Sequence, residues 1–440
     1  MKTSFDRLLC FVGALGCVAA AALLRRRMMT HDAQHWAVPS IVLAVLGAIA
    51  LAAGLLKGGL LQRGIAGLMK LALTTAITFG AAEGACRVIG IDFNELLGAR
   101  KANEAFPIYF RLPAHPSGEV YFTRDPGSSW TGKPLQTLLK NHRSTDVAYT
   151  DEAELTISYS REGFRNPDDL KDWDIAVVGD SFTESGYLPE KTLFTGIAAE
   201  KLGKRVKNLG ITDSGTFAQT HYLETYGKAP SCKTAVLAFF EGNALDDNHR
   251  ELRDRERFRA SGEKPDHSIA RQSSLLKTIM NLARDAKKIR LSDRSYVNAF
   301  FKSGDKEIPV TIADAPPSKA EMSTDHSKAL LLALDEYAAA CTKAGMKAHL
   351  LYIPCKRRVM HGLLRQVNDY PQPDWQPGDL PDHLQAECEK RGIAFINATP
   401  ALSAAAAQGQ ACFNTIYDTH LDATGHQIIG DVLAKALTAP

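Results

Sequence analysis

Short apolar runs alternate with amphipathic stretches through the C-terminal two thirds of the chain. Residues 175–178, 206–209, 234–240, 349–353 and 393–397 are runs of strand length rich in Val, Ile, Leu and Phe. Between and after them, residues 193–202, 217–226, 328–344 and 383–391 carry helical spacing. The last helix shows an i, i+4 stripe of Ile428, Ile429, Val432, Leu433, Ala436 and Leu437. Strands alternating with helices predict an α/β domain with a mainly parallel sheet over residues 171–440. A charged and helical insertion is expected at 249–294, covering the site or meeting a partner. Residues 93–170 are rich in Pro, Gly and Ser, with a short alternating run at 154–159. They read as a β or irregular connecting segment.

The N-terminal pattern is different. Residues 8–24 and 36–56 are free of charge, and 64–82 is broken only by Lys70. Runs of this length predict three transmembrane helices, so residues 1–92 read as a membrane anchor. A cleaved signal peptide would account for the first run but not the next two. The flanking charges are nearly balanced: Arg25, Arg26 and Arg27 favour a cytoplasmic first loop, while Lys2, Arg7, Lys57, Arg63 and Lys70 favour a cytoplasmic N-terminus.

Composition removes some classes. A net charge of +3 with 23% charged residues and no nucleic-acid motif gives no basic footprint, so no nucleic-acid partner is expected. The eight cysteines lack zinc-like CxxC spacing and do not settle the redox compartment. Neither a metal nor a cofactor is expected.

In a parallel sheet, ligands gather at the carboxyl ends of strands. There the chain offers Gly179-Asp180-Ser181, then residues 208–215, then Glu241-Gly242-Asn243. Near the C-terminus lies Tyr417-Asp418-Thr419-His420. A serine hydroxyl needs a base to become a nucleophile, and the base needs an orienting carboxylate; His420 and Asp418 can supply that pair. The Asp-x-His spacing works only if the loop turns the carboxylate onto Nδ1 while Nε2 faces Ser181. Oxyanion donors can come from the Ser181 N–H, a backbone amide of the 210–215 turn, with Gly215 as the candidate, and the Asn243 side chain. Each piece alone has a blander reading. Gly-Asp-Ser can be a turn, and Asp418, His420, Asp422 and His426 can be a solvated helix entrance or a metal cluster. His426 reads as structural, and Lys356-Arg357-Arg358 as a solvated loop in preference to a face for an anionic substrate or lipid headgroup.

Taken in order, these blocks resemble the four signature blocks of the SGNH (GDSL-type) hydrolases over about residues 160–440. Gly163-Phe164-Arg165 fits the lead-in of membrane-anchored bacterial members. The resemblance implies a three-layer α/β/α fold and ester or O-acyl chemistry. It also implies Ser181 as nucleophile, His420 as base, Asp418 as its partner, and an oxyanion hole from Ser181, a second-block amide and Asn243. The glycine usual in the second block aligns with Asp213, with Gly215 nearby, and Asp418-x-His420 is shorter than the more familiar Asp-x-x-His. The expected activity is that of a serine esterase or O-deacetylase acting on cell-envelope carbohydrate or lipid esters. An O-acetyltransferase using the same triad is the first alternative, and a catalytically silent carbohydrate-binding or assembly factor the second. Similar anchored members place this domain outside the cytoplasmic membrane, so a periplasmic or extracytoplasmic site is expected. Three helices suit an anchor that docks on a membrane acyltransferase partner.

Overall fold

The computed structural model describes residues 121–142, 144–167, 169–261, 294–313, 316–367 and 370–438, a short strand at 109–111, and residues 10, 63–70, 74 and 78. The chain divides into two compact units, 1–98 with 269–282, and 99–268 with 283–440. Among the described residues no helix is long and apolar enough to cross a membrane. The three apolar runs lie almost wholly outside the described residues, as does the insertion beyond residue 261.

The larger unit opens with β1 (Tyr109–Arg111), β2 (Phe122–Arg124), β3 (Ser129–Gly132), α1 (Pro134–Asn141) and β4 (Leu155–Ser158), with β1 on β2 and β3 on β4 antiparallel. Then follow β5 (Ile175–Gly179), α2 (Ser181–Glu184), α3 (Phe194–Leu202), β6 (Val206–Gly210), α4 (Thr216–Tyr226), β7 (Thr234–Phe240) and α5 (Ala244–Ser261). A hairpin, β8 (Ala299–Ser303) and β9 (Lys306–Val310), precedes α6 (Thr324–Ala344), β10 (Lys347–Ile353), α7 (Lys356–Val359) and β11 (Leu364–Gln366). The chain closes with α8 (Leu380–Glu389), β12 (Ala394–Asn397), α9 (Thr399–Ala407) and α10 (Ala423–Thr438).

The main sheet has the order β12-β10-β7-β5-β6 and every pairing in it is parallel. Its strands alternate strictly between two apolar layers. Ala176, Val178, Ala235, Leu237 and Tyr352 pack with α4, α6 and α8 on one face. Ile175, Val177, Val236, Ala238, Leu351 and Ile353 pack with α3, α9, α10 and the β8–β9 hairpin on the other. Because both faces are covered, the strands read as unbroken apolar runs. The result is a three-layer α/β/α arrangement: the parallel sheet is what the pattern predicts, and the three layers are what the resemblance implies.

Strand order places the site. The chain steps from β5 to β6 on one side and then crosses to β7 on the other, so the order reverses between β5 and β7. In doubly wound sheets that reversal opens a crevice beyond the carboxyl ends of the strands. Gly179 ends β5 there, and a Cβ on it would sit 2.1 Å from Thr183 Oγ1, so only glycine lets α2 fold back over the strand end.

Residues 93–170 were expected to connect, yet Tyr121 and Phe164 lie in the same core as β5 and α4. Gly163 sits at φ +79, with a would-be Cβ 2.2 Å from the Arg124 carbonyl oxygen. This turn lays Phe164 and Arg165, both buried, against the sheet.

Candidate active site

Ser181 follows β5 and begins α2, with Asp180 as its cap; one Asp180 oxygen accepts from the Phe182 N–H at 2.9 Å. Burial pushes the Asp180 carboxyl up to about 7, with Phe182, His420 and the Asn243 amide pulling the other way. Ser181 Oγ lies 2.8 Å from His420 Nε2, and His420 Nδ1 lies 3.0 and 3.2 Å from the two Asp418 oxygens. His420 is 19% exposed, so the imidazole is reachable from the cleft while Asp418, at 5%, is not. The ring rests between Phe182, at 4.6 Å, and Tyr187, at 5.2 Å.

The short Asp-x-His spacing closes through a turn. Asp418 Oδ1 accepts from the His420 backbone N–H at 2.8 Å, while the same carboxylate meets the ring nitrogen. That is an Asx turn, in which a side chain substitutes for a backbone carbonyl two residues back. One residue earlier, the Asp418 N–H donates to the Ile416 carbonyl at 2.8 Å around Tyr417, whose φ is +64. A bulky residue in that region costs on the order of 1–3 kcal/mol and persists only where its surroundings over-determine it. Here they do. The Tyr417 ring stacks on His142 at 4.3 Å and meets Tyr296 edge-on at 4.7 Å, and its N–H donates to Thr311 Oγ1 at 2.6 Å.

Electrostatics follow from that geometry. Burial would raise the Asp418 carboxyl, but the His420 charge and hydrogen bonds from His420 and Asn414 hold it well below the usual carboxylate range. Burial would lower the His420 imidazole, yet Asp418 outweighs it and raises the pKa above 6.5. His426 is indeed structural: its Nδ1 accepts from the Phe194 N–H at 3.1 Å, and burial pulls it down to about 3. Among the described residues no group of His, Cys, Asp and Glu could hold a metal ion.

Two expectations are corrected. Gly215 is not a donor to the site, because its N–H donates to Glu251 Oε1 at 2.7 Å. Glu251 also accepts from Ala218, and Asn248 accepts from Thr216, so α5 caps the start of α4 and takes up these amides. Asp213, by contrast, sits at φ +62, a left-handed conformation that aspartate tolerates in place of glycine. Among the described residues neither the Asp213 nor the Ser181 N–H meets an acceptor. Lys356 and Arg357 are not solvated either; they are 2% and 3% exposed. Lys356 Nζ donates to the carbonyls of Thr311, Asn414 and Asp418 at 3.0, 2.5 and 3.0 Å, which clamps the loop carrying Asp418.

The supporting residues have weaker sequence signals. Glu184 is buried at the end of α2 and accepts from Arg124 Nε, Tyr159 Oη, and the Thr212 N–H and Oγ1, each at 2.6 Å. Burial would raise this carboxyl, but Arg124 and those hydrogen bonds hold it below its ordinary value. Arg165 donates to the carbonyls of Ser185 and Leu188 beyond α2. On the other side, the Tyr149 hydroxyl donates to the Ile416 carbonyl at 3.0 Å and accepts from its N–H at 2.8 Å. Residues 124–165 thus brace both halves of the site. Glu184→Gln leaves Arg124 buried without its counter-charge and is expected to destabilise the fold by about 3–5 kcal/mol. Urea unfolding checks it; an unchanged midpoint would remove the hub role.

A cleft of about 250 Å³ opens over these groups, lined by Ser181, Phe182, Asn243, Arg357, Thr419 and His420 among others. Asn243 Oδ1 is buried and has no partner among the described residues.

No family model matches the chain, and no curated protein does. Solved structures similar to it include a member of the lipolytic G-D-S-L family from Veillonella parvula, 13% identical, covering 61% of this chain and 99% of that one, with a TM-score of 0.33. Another is a catalytic mutant of an acetylxylan esterase from Geobacillus stearothermophilus, 12% identical, covering 61% and 95%, with a TM-score of 0.30.

Proposed function

We propose that this chain is a serine ester hydrolase that removes acyl groups, O-acetyl above all, from cell-envelope carbohydrate or lipid. The observation that carries the reading is the continuous hydrogen-bonded line Ser181–His420–Asp418, opening on a cleft at the sheet's switch point. His420 takes the Ser181 proton as Oγ attacks the ester carbonyl, and the new C–O bond makes a tetrahedral oxyanion. The Ser181 and Asp213 N–H groups and the Asn243 side-chain amide are its donors. The alcohol leaves with the proton from His420, and water, activated by the same imidazole, releases the acid. The apolar runs of residues 1–92 motivate a membrane anchor, with the site outside the cytoplasmic membrane where such esters occur.

Acetate release from p-nitrophenyl acetate by the purified full chain tests the reading, with and without an oligosaccharide acceptor. Acetate in solution supports the hydrolase; acetylated oligosaccharide moves the assignment to an acyltransferase working through the same acyl-enzyme. Absence of turnover in both tubes contradicts the proposal.

The base must be neutral to accept the Ser181 proton. Since Asp418 raises the His420 pKa, kcat/KM is expected to climb with pH through an inflection above 6.5 and level off beyond it. A pH–rate profile checks this, and an inflection below 6.5 would contradict the coupling to Asp418.

A further inference from the structure

Three buried arginines of this fold share one habit. Arg124 pairs with Glu184 at 2.6 Å, Arg255 with Glu336 at 2.5 Å, and Arg358 with Glu241 at 2.5 Å. Arg165, without an ion pair, donates to backbone carbonyls instead. Arg357 departs from the pattern. It is 3% exposed, and among the described residues it has no carboxylate partner. Its Nη2 donates to the Gln372 carbonyl, while Nη1 is buried and has no hydrogen-bond partner among the described residues. A buried guanidinium left in that state is costly unless something supplies the missing charge.

Its placement says what that is. Arg357 lines the same cleft as Ser181 and His420, and among the described lining residues none is a carboxylate. The other cation there, Lys356, has its donors taken up by the carbonyls under the Asp418 loop. The guanidinium is held in place rather than free to swing out. Its carbon lies 4.9 Å from the Tyr370 ring centre and 5.1 Å from that of Trp375. The neighbouring Arg358–Glu241 pair pins α7 to the end of β7, a second fixed point one residue away. A separate groove of about 520 Å³ is lined by Gln372 and Trp375 together with Glu321 and Asp374, which would repel an anion.

We propose that Arg357 is a specificity residue that binds an anionic group, carboxylate or phosphate, on the ester substrate. This rests on the esterase reading and adds the substrate's charge to it. A guanidinium presents paired N–H donors that match either oxyanion, and a bond to a charged partner is worth more than one to a neutral acceptor.

The test compares two aryl acetates, 4-acetoxybenzoate and its methyl ester, in which one methyl group removes the charge, on the full chain. The wild-type chain is expected to prefer the benzoate relative to Arg357→Gln. In that variant the ratio of kcat/KM for the anionic over the neutral ester falls about 10- to 100-fold, the range of a hydrogen bond to a charged group. Arg357→Lys keeps part of the ratio. A third ester, 4-acetoxyphenyl phosphate, shows which oxyanion the site takes. A ratio unchanged in Arg357→Gln overturns the proposal. Should that variant not fold, the wild type alone still decides: benzoate or phenyl phosphate is expected to inhibit methyl-ester hydrolysis competitively, whereas equal inhibition by neutral methyl benzoate contradicts the anion site. Should no ester turn over, calorimetric titration of Ser181→Ala with the two acetates separates the two claims. Preferential binding of the benzoate keeps the anion site while the hydrolase reading falls, and equal binding removes the anion site.

Discussion

Replacing Ser181 by alanine is expected to lower ester turnover by about 10⁶-fold, the scale seen when the nucleophile of a serine triad is removed. The change deletes a single oxygen that touches only His420 among the described side chains, so folding should survive it. The rest of the machinery stays in place: the cleft, the donors and the His420–Asp418 pair. For that reason substrate binding should persist while chemistry stops, and the loss should appear in kcat with KM little changed. Loss of both together, with a lowered unfolding midpoint, would mean that Ser181 holds the α2 turn rather than attacking. A residual rate within tenfold of wild type would remove Ser181 from the mechanism.

Asp418→Asn is the second large effect, with kcat falling by about 10⁴-fold. The carboxylate accepts from Asn414 Nδ2 at 2.9 Å, from the His420 N–H at 2.8 Å and from His420 Nδ1 at 3.0 Å. An amide can satisfy some of these donors but must turn its own N–H₂ toward another, and the imidazole then loses the tautomer that leaves Nε2 free for the Ser181 proton. The pH dependence distinguishes this from simple damage. With the Asp418 charge gone, burial dominates and the His420 pKa drops, so the acid limb of the residual activity moves to lower pH. Stability should respond with the opposite sense of titration. The Asp418 carboxyl is depressed in the folded state, so its contribution is present above the unfolded value of about 4 and is lost as pH falls below it. The asparagine variant should lack that share of acid sensitivity. A wild-type acid limb in the variant would separate Asp418 from His420.

Much of this arrangement was legible in the chain. Residues 234–240 were read as a strand and form one with the same bounds, since a run of Ala, Val, Leu and Phe buried on both faces has no competing helical period. Ser181, His420 and Asn243 arrive at one cleft, with Asp418 behind His420, because each stands just beyond a strand or just before the last helix. The hairpin at 299–310 was not read. Pro309 argues against a strand, but β9 is the edge of its small sheet, where a missing N–H leaves no ladder bond unmade. Gly215 was the wrong amide because the claim on it comes from Glu251, 36 positions away on α5. Lys356 and Arg357 read as a basic loop, since their burial depends on the 414–418 carbonyls and on Tyr370 and Trp375, which no local pattern reveals. The Arg124–Glu184 hub is hidden for the same reason, joining residues 60 positions apart.

The most direct measurement is the intact mass of the full chain after exposure to a fluorophosphonate probe, followed by peptide mapping. Such a probe is attacked by an activated serine and stays bonded to it. The expected result is one adduct, located on Ser181, absent from Ser181→Ala and formed far more slowly in His420→Ala. A folded chain that takes no adduct at Ser181, or takes it equally fast without His420, would contradict the assignment of Ser181 as a nucleophile activated by His420.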